Sequence, residues 1–210
     1  MDGITTNFSL IMHKLIFATN NQHKVDEIKS IKAINYDIIS LKEAGINIDI
    51  PEPHNTLEEN ASEKSSVIYN LTCMDCFSED TGLEVEALNG EPGVRSARYA
   101  GDENSFSKNM EKLLFKMHGI TNRNAQFRTV LSLIIKGIEH QFEGICKGTI
   151  LANSKGKGGF GYDPLFLPNG SIKTFAEMDM QEKNKFSHRK KAMDKMVNFL
   201  NTPGAKDKPF

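Results

Sequence analysis

Residues 14–25 read Lys14-Leu15-Ile16-Phe17-Ala18-Thr19-Asn20-Asn21-Gln22-His23-Lys24-Val25, and the change of pattern inside that stretch decides the fold. Leu15 to Ala18 is an apolar run of strand length, Asn20-Asn21 breaks it, and Val25, Ile28 and Ile31 then recur on one side of a helix. A buried strand, a short polar turn and a helix form the arrangement in which the first helical amides face an anion.

Outward from there, Tyr36 to Leu41 reads as a second strand, followed by a loop of turn residues through Pro51-Glu52-Pro53. Thr56-Leu57-Glu58-Glu59 is a capping box, which starts a helix at Leu57. Leu57, Ala61, Lys64, Ile68 and Leu71 share one face of it, and Lys64 is the single charge in that stripe. Either Lys64 snorkels from the edge of the stripe or it aims into a cleft; spacing alone does not decide.

Cys76-Phe77-Ser78 reads as a short strand running into Glu79-Asp80-Thr81-Gly82, where the glycine suggests a turn. Leu83 to Leu88 alternates apolar and acidic residues as a half-exposed strand does, and Asn89-Gly90 closes it. Ser105 to Met117 is helical, with Phe106, Met110, Leu113, Leu114 and Met117 inward. Phe127 to Ile135 and Phe142 to Leu151 form a hairpin around Gly137, and Tyr162 to Phe166 reads as one more strand. Ser187 caps a last helix with Ala192, Met193, Met196, Val197 and Leu200 on its apolar face.

Helices mixed with both alternating and continuous strands indicate an α/β fold with a mixed sheet flanked by helices. No linker of the composition that separates domains occurs. The expectation is a single domain over 15–201, two lobes on one sheet with a central cleft, a loosely held extension over 1–14 and a mobile tail over 202–210.

The chain has 210 residues, a formal net charge of −1, 39% apolar and 25% charged residues. That balance carries no basic field for nucleic acid, and no apolar run suits a membrane span or a secretion signal. Cytoplasm is the default compartment. Cys73, Cys76 and Cys146 read as ordinary thiols, because a structural zinc site needs four ligands and Cys73/Cys76 has no second pair.

The chemistry-bearing residues fall into three groups. Glu79 and Asp80, with Glu52 in its proline-bracketed loop, supply the hard oxygens that Mg²⁺ takes. Lys24, Lys64, Lys183 and Arg98 supply positive charge for phosphates. Phe160 and Tyr162, set among Gly156, Gly158, Gly159 and Gly161, offer flat surfaces for a base, with Asp163, His188 and Arg189 for its edges. No G-x-x-x-x-G-K-[ST] occurs, and the first strand–turn–helix has no glycines, so neither a P-loop nor a Rossmann dinucleotide site is expected.

Six segments in order carry a resemblance. They are Ala18 to Lys24; Thr56 to Ala61 with Lys64; Glu79 to Leu83; Gly90 to Gly93 with Ser96 to Tyr99; Gly159 to Pro164; and Glu182-Lys183 with Ser187-His188-Arg189. Together they resemble the inosine triphosphate pyrophosphatase family over Leu15 to Leu200. The resemblance implies an elongated fold, a homodimer, Mg²⁺ dependence, and hydrolysis of ITP, dITP and XTP to monophosphate and pyrophosphate, which cleanses the nucleotide pool. By position it implies that Thr19, Asn20, Asn21, Gln22, His23 and Lys24 cradle phosphate with Lys64 nearby. Glu52 and Asp80 would hold the metal, and Asp80, with Glu79 and Lys24, would be catalytic, Asp80 as the base that activates water. Thr81 and Arg98 would touch substrate, and Phe160, Gly161, Tyr162, Asp163, Lys183, His188 and Arg189 would enclose the base. Arg189 or backbone amides would donate to the 6-oxo group. Asn20 stands where the family has glycine, which puts that loop's phosphate contacts in question. Two rivals stand beside this reading: a Maf-type pyrophosphatase acting on other nucleotides, and a nucleotide sensor without catalysis.

Overall fold

The computed structural model describes residues 13–31, 36–101 and 103–202. Most of the expected N-terminal extension and all but Thr202 of the expected tail lie outside these residues. Where the two meet, His13 and Lys14 belong to the first strand rather than to an extension.

The elements run β1 (His13–Phe17), α1 (Gln22–Lys29), β2 (Tyr36–Ser40), α2 (Leu57–Thr72), β3 (Cys76–Val85), β4 (Pro92–Gly93), α3 (Phe106–Lys116), β5 (Asn124–Ile135), β6 (Ile138–Ile150), β7 (Phe166–Pro168), α4 (Met180–Asn184) and α5 (His188–Asn201). They build one sheet in the order β2-β1-β3-β5-β6-β7, with β4 paired to β3. β1 is parallel to β2 and β3; β3, β5, β6 and β7 pair antiparallel. The fold is α/β with a mixed sheet flanked by helices.

Both faces of the sheet are covered near β1, as alternation along that strand requires. Leu15 and Phe17 pack with Val25 and Ile28 of α1 and with Met193 and Met196 of α5. Ile16 and Ala18 pack with Ile68 of α2 on the other face. A second core joins Leu83 and Val85 of β3 to Leu113 and Met117 of α3, Phe127 of β5, and Phe166 and Phe175.

Three expectations are corrected. β3 does not stop before Gly82: it runs unbroken from Cys76 to Val85, paired at every position with β5 from Ile134 to Ala125. Gly82 is needed there because β4 crosses so closely that a Cβ would lie 2.6 Å from the Gly93 carbonyl oxygen. Tyr162 to Leu165 is a turn, held by Leu165 and Phe166 amides donating to the Tyr162 carbonyl, and strand pairing begins only at Phe166. Leu71 and Phe106 are exposed rather than inward.

β3 has a different neighbour at each end of one edge. β1 pairs with it only at Cys76 and Phe77, and β4 only at Leu83 and Glu84. Among the described residues no strand covers that edge between them, where Ser78 to Gly82 lie. The loop after β1 and the turn after β4 diverge around this gap, and the gap is the floor of a cleft.

Candidate active site

The cleft encloses about 560 Å³, ample for one drug-sized ligand. Its walls come from Thr19 to Asn21 and Lys24 after β1, from Glu52 and Lys64, from Asp80 and Thr81 on β3, and from Ser96 to Arg98. Phe160 to Asp163, Lys183, His188 and Arg189 close the other end. Gln22, His23 and Glu79, expected in the same site, do not line it. Gln22 is exposed and donates to Asp26 at 2.7 Å.

Glu79 and Asp80 are consecutive on a strand and therefore point to opposite faces of the sheet. Asp80 follows Ser78, whose hydroxyl donates to the Ala61 carbonyl of α2, and meets α2 residues. Lys64 Nζ donates to Asp80 Oδ1 at 3.0 Å and to Glu52 Oε1 at 2.6 Å, and Asn60 Nδ2 donates to Asp80 Oδ2 at 3.4 Å. So Lys64, only 6% exposed, aims into the cleft and holds two carboxylates together. Burial raises the Asp80 carboxyl, outweighing the lowering by Lys64 and Lys24. Burial also pushes Glu52 up, yet Lys64, Lys24 and Arg98 hold it below the ordinary value. Arg98 braces the Glu52 loop, donating to the Glu52 carbonyl at 2.8 Å and to its carboxylate at 3.3 Å.

Glu79 turns the other way, into a buried ionic network. Its carboxylate accepts from Arg189 Nε at 2.5 Å and Arg189 Nη2 at 2.9 Å, and Lys24 Nζ lies 3.0 Å away. Arg189 Nη1 also donates to Glu27, while Lys183 Nζ donates to Glu27 and to Asp163, each at 2.6 Å. Three cations thus balance three carboxylates, as burial of charge demands. Burial alone would raise Glu79, but Arg189 and Lys24 hold it well below the usual carboxylate range. Glu27 is held low against burial by Arg189 and Lys183, whereas burial wins at Asp163 and raises it.

Arg189 therefore spends three of its five N–H groups on carboxylates, and it is 1% exposed. It lines the cleft, with two N–H groups left beyond these three bonds. His188 also lines the cleft, stacks on Phe127 at 4.7 Å, and its buried Nδ1 has no hydrogen-bond partner. Burial, followed by Arg189 and Lys183, drives its pKa well below 6.5, so the imidazole is neutral and brings one donor and one acceptor. Tyr162 is fixed by donating to the Ser96 carbonyl at 2.9 Å, which ties the glycine loop to the turn after β4.

The loop after β1 is ordered by its own side chains. Asn21 caps α1 by accepting from the Lys24 amide, a contact worth about 1 kcal/mol. Thr19 Oγ1 accepts from the Asn21 amide at 3.2 Å. Asn20 does not need a glycine's freedom: positive φ among described non-glycine residues occurs only at Cys73, Asn89, Asn104 and Lys136. Its side chain instead donates to the Ile48 carbonyl at 2.9 Å, joining this loop to the one that carries Glu52.

Glu27 is the main residue that sequence reading missed. Its partners lie 156 and 162 positions away, and its only local signal is a charge beside Ile28 on the buried side of α1.

Lined by lysines and carboxylates at one end and by rings and a buried imidazole at the other, the cleft defines an α/β protein equipped for a phosphorylated, flat ligand. A model of the Ham1 family matches residues 15–199, and the chain belongs to that family. It is 48% identical over 187 residues to the dITP/XTP pyrophosphatase of Flavobacterium psychrophilum, covering 89% of this chain and 98% of that one. It is 47% identical over 190 residues to the dITP/XTP pyrophosphatase of Porphyromonas gingivalis, covering 90% and 98%. Among solved structures, the Staphylococcus aureus Ham1 protein matches with a TM-score of 0.80 at 39% identity, covering 89% of this chain and 97% of that one. A Coxiella burnetii HAM1 protein matches with a TM-score of 0.81 at 31% identity, covering 90% and 98%. The resemblance carried by the six segments agrees with these relatives.

Proposed function

We infer that this protein is a nucleoside triphosphate pyrophosphatase, cleaving the α–β anhydride of deaminated purine nucleotides (ITP, dITP, XTP) to the monophosphate and pyrophosphate. The observation that carries this reading is the pairing, within one cavity, of a charged end at Asp80, Lys64 and Glu52 with a ring-lined end at Phe160 and His188. The dITP/XTP pyrophosphatases it is similar to support the same substrate class.

In this reading Asp80, its carboxyl raised by burial, takes the proton of a water that attacks the α-phosphorus in line. General-base help of this kind is worth about 10²–10⁴-fold. Lys24 and Lys64 stabilise negative charge as it passes to the departing pyrophosphate. Thr81 and Arg98 orient the chain of phosphates. Glu52 and Asp80 suit a shared Mg²⁺: both are hard-oxygen donors, both already converge on one ammonium, and Mg²⁺ completes its shell with water and phosphate. When bound, the ion supplies charge neutralisation on the phosphates and a more acidic water.

At the base end the 6-oxo purine meets neutral His188 and the amides of the glycine loop. An adenine 6-amino group would meet the amides of the glycine loop donor to donor, and a site built on such pairing rejects the wrong ligand by roughly 10⁴-fold.

The test is pyrophosphate release from ITP, XTP, dITP, GTP and ATP, with Mg²⁺ or with EDTA. Metal-dependent release from the deaminated nucleotides at least a hundredfold above ATP supports the reading. Orthophosphate as the sole product sinks it, because the wrong bond is then cut.

A further inference from the structure

Three rings from three separate elements meet at the mouth of the cleft. Phe160 sits between Gly159, at φ +71°, and Gly161, at φ +62°. Its backbone is pinned, because its amide donates to Asp163 Oδ2 at 3.0 Å. A Cβ on Gly159 would lie 2.2 Å from that same oxygen, so the glycine is required. Two cations lie over the Phe160 ring, Lys183 Nζ at 5.2 Å and the guanidinium carbon of Arg189 at 5.7 Å from its centroid.

Two further rings add to this support. The His23 imidazole lies 5.1 Å from the Phe160 ring centroid and within 10° of parallel. Phe106 tilts against both, 6.2 Å from Phe160 and 6.4 Å from His23. His23 is in the first turn of α1, beside the core shared with α5. Phe106 begins α3, which packs into the second core. The two rings therefore reach Phe160 from elements of the two cores. His23 and Phe106 are both exposed, and no buried core accounts for their meeting.

We propose that His23 and Phe106 are positioning residues for the nucleobase: they clamp Phe160 from elements of the two cores and fix the plane of the ring on which the purine lies. His23 then serves the base end, not the phosphate end that its place beside Lys24 suggests. Consecutive helical residues diverge by about 100°, and the two have gone separate ways: Lys24 Nζ is 3.0 Å from Glu79, while His23 is stacked on Phe160. The clamp rests on the nucleotide reading above.

The test separates the two ends of the substrate. Inosine monophosphate and pyrophosphate are titrated calorimetrically into wild type, His23→Ala, Phe106→Ala and His23→Phe, and KM and kcat for ITP are measured alongside. Loss of one aromatic contact predicts a weakening of monophosphate binding by roughly three- to tenfold in each alanine variant. Pyrophosphate affinity and kcat stay within about twofold of wild type, KM rises, and His23→Phe restores monophosphate binding, since a ring replaces a ring. If His23→Ala weakens pyrophosphate as much as the monophosphate, His23 belongs to the phosphate cradle and the clamp is refuted. Unchanged monophosphate affinity in both alanine variants refutes it as well. A wild type that binds pyrophosphate but no inosine monophosphate overturns the nucleotide reading, and the clamp with it.

Discussion

Glu79 and Asp80 are neighbours in sequence, lie on one strand, and live in opposite electrostatic worlds. On the Glu79 face, Arg189 and Lys24 hold the carboxylate deep in its charged form. On the Asp80 face, one buried lysine is shared between two acids, and burial tips Asp80 toward its neutral form. In the proposed mechanism the acid held in its charged form is framework and the acid that can take a proton is the base. Strand alternation, with no insertion or bulge, is enough to separate those two jobs.

The sharpest way to break this contrast is to neutralise each acid in turn. Asp80→Asn is expected to lower kcat by about 10²–10⁴-fold while the protein still unfolds cooperatively; steady-state pyrophosphate release checks it. Near-normal turnover would return Glu79 to candidacy as the base. Glu79→Gln is expected to act on the fold instead, costing about 3–5 kcal/mol because Arg189 is left buried with half its partners. A urea midpoint for Glu79→Gln no lower than that of Asp80→Asn would overturn the division between framework and base.

The contrast also has a pH signature. With the Asp80 carboxyl above the ordinary value of 3.8, the acid limb of the kcat/KM profile is expected to lie above that value. Glu79, held below 4.5 in the folded protein, contributes stability that is present above that value and is lost only as pH falls through its folded pKa. His188 acts earlier. Its folded pKa lies well below 6.5, so as pH drops below 6.5 the unfolded chain gains a proton that the folded one refuses. Stability should therefore decline from there by up to about 1.4 kcal/mol per pH unit. Urea titrations between pH 7 and pH 5 check this, and in His188→Asn the slope should flatten; an equal slope would mean that other groups supply it.

The smallest effect is expected at Asn20→Gly, which removes the bond to the Ile48 carbonyl without relieving any backbone strain. A loss of about 0.5–1.5 kcal/mol is expected, read from the urea midpoint. A gain in stability would show that the loop wants the glycine after all.

Much of this molecule was legible in its sequence because its signals are local. The caps at Thr56 and Ser187, the break at Asn20-Asn21 and the apolar stripes that follow them place α2, α5 and α1 where they occur. The two long strands around Gly137 declare themselves by pattern. Gly82 misled because close backbone approach and a turn both ask for glycine. Tyr162 to Phe166 misled because its apolar and aromatic residues look like a strand, while Tyr162 ties the glycine loop to the turn after β4. The Lys64 ambiguity could only be settled by Asp80 and Glu52, which reach it from a distant strand and loop. The same remoteness hid the commitment of Arg189 to Glu27 and Glu79.

Arg189 lies 162 residues after Glu27 and 110 after Glu79, and this separation matters while the chain is being made. A ribosome adds about 5–20 residues each second, so for several seconds both acids exist with no guanidinium to meet them. Until α4 and α5 are synthesised, Glu27 lacks both of its cations and Glu79 has only Lys24, and the earlier elements have reason to stay loosely assembled. Chains that stop before Arg189 are therefore expected to stay more open to proteases than the full chain, which limited proteolysis of truncated chains checks.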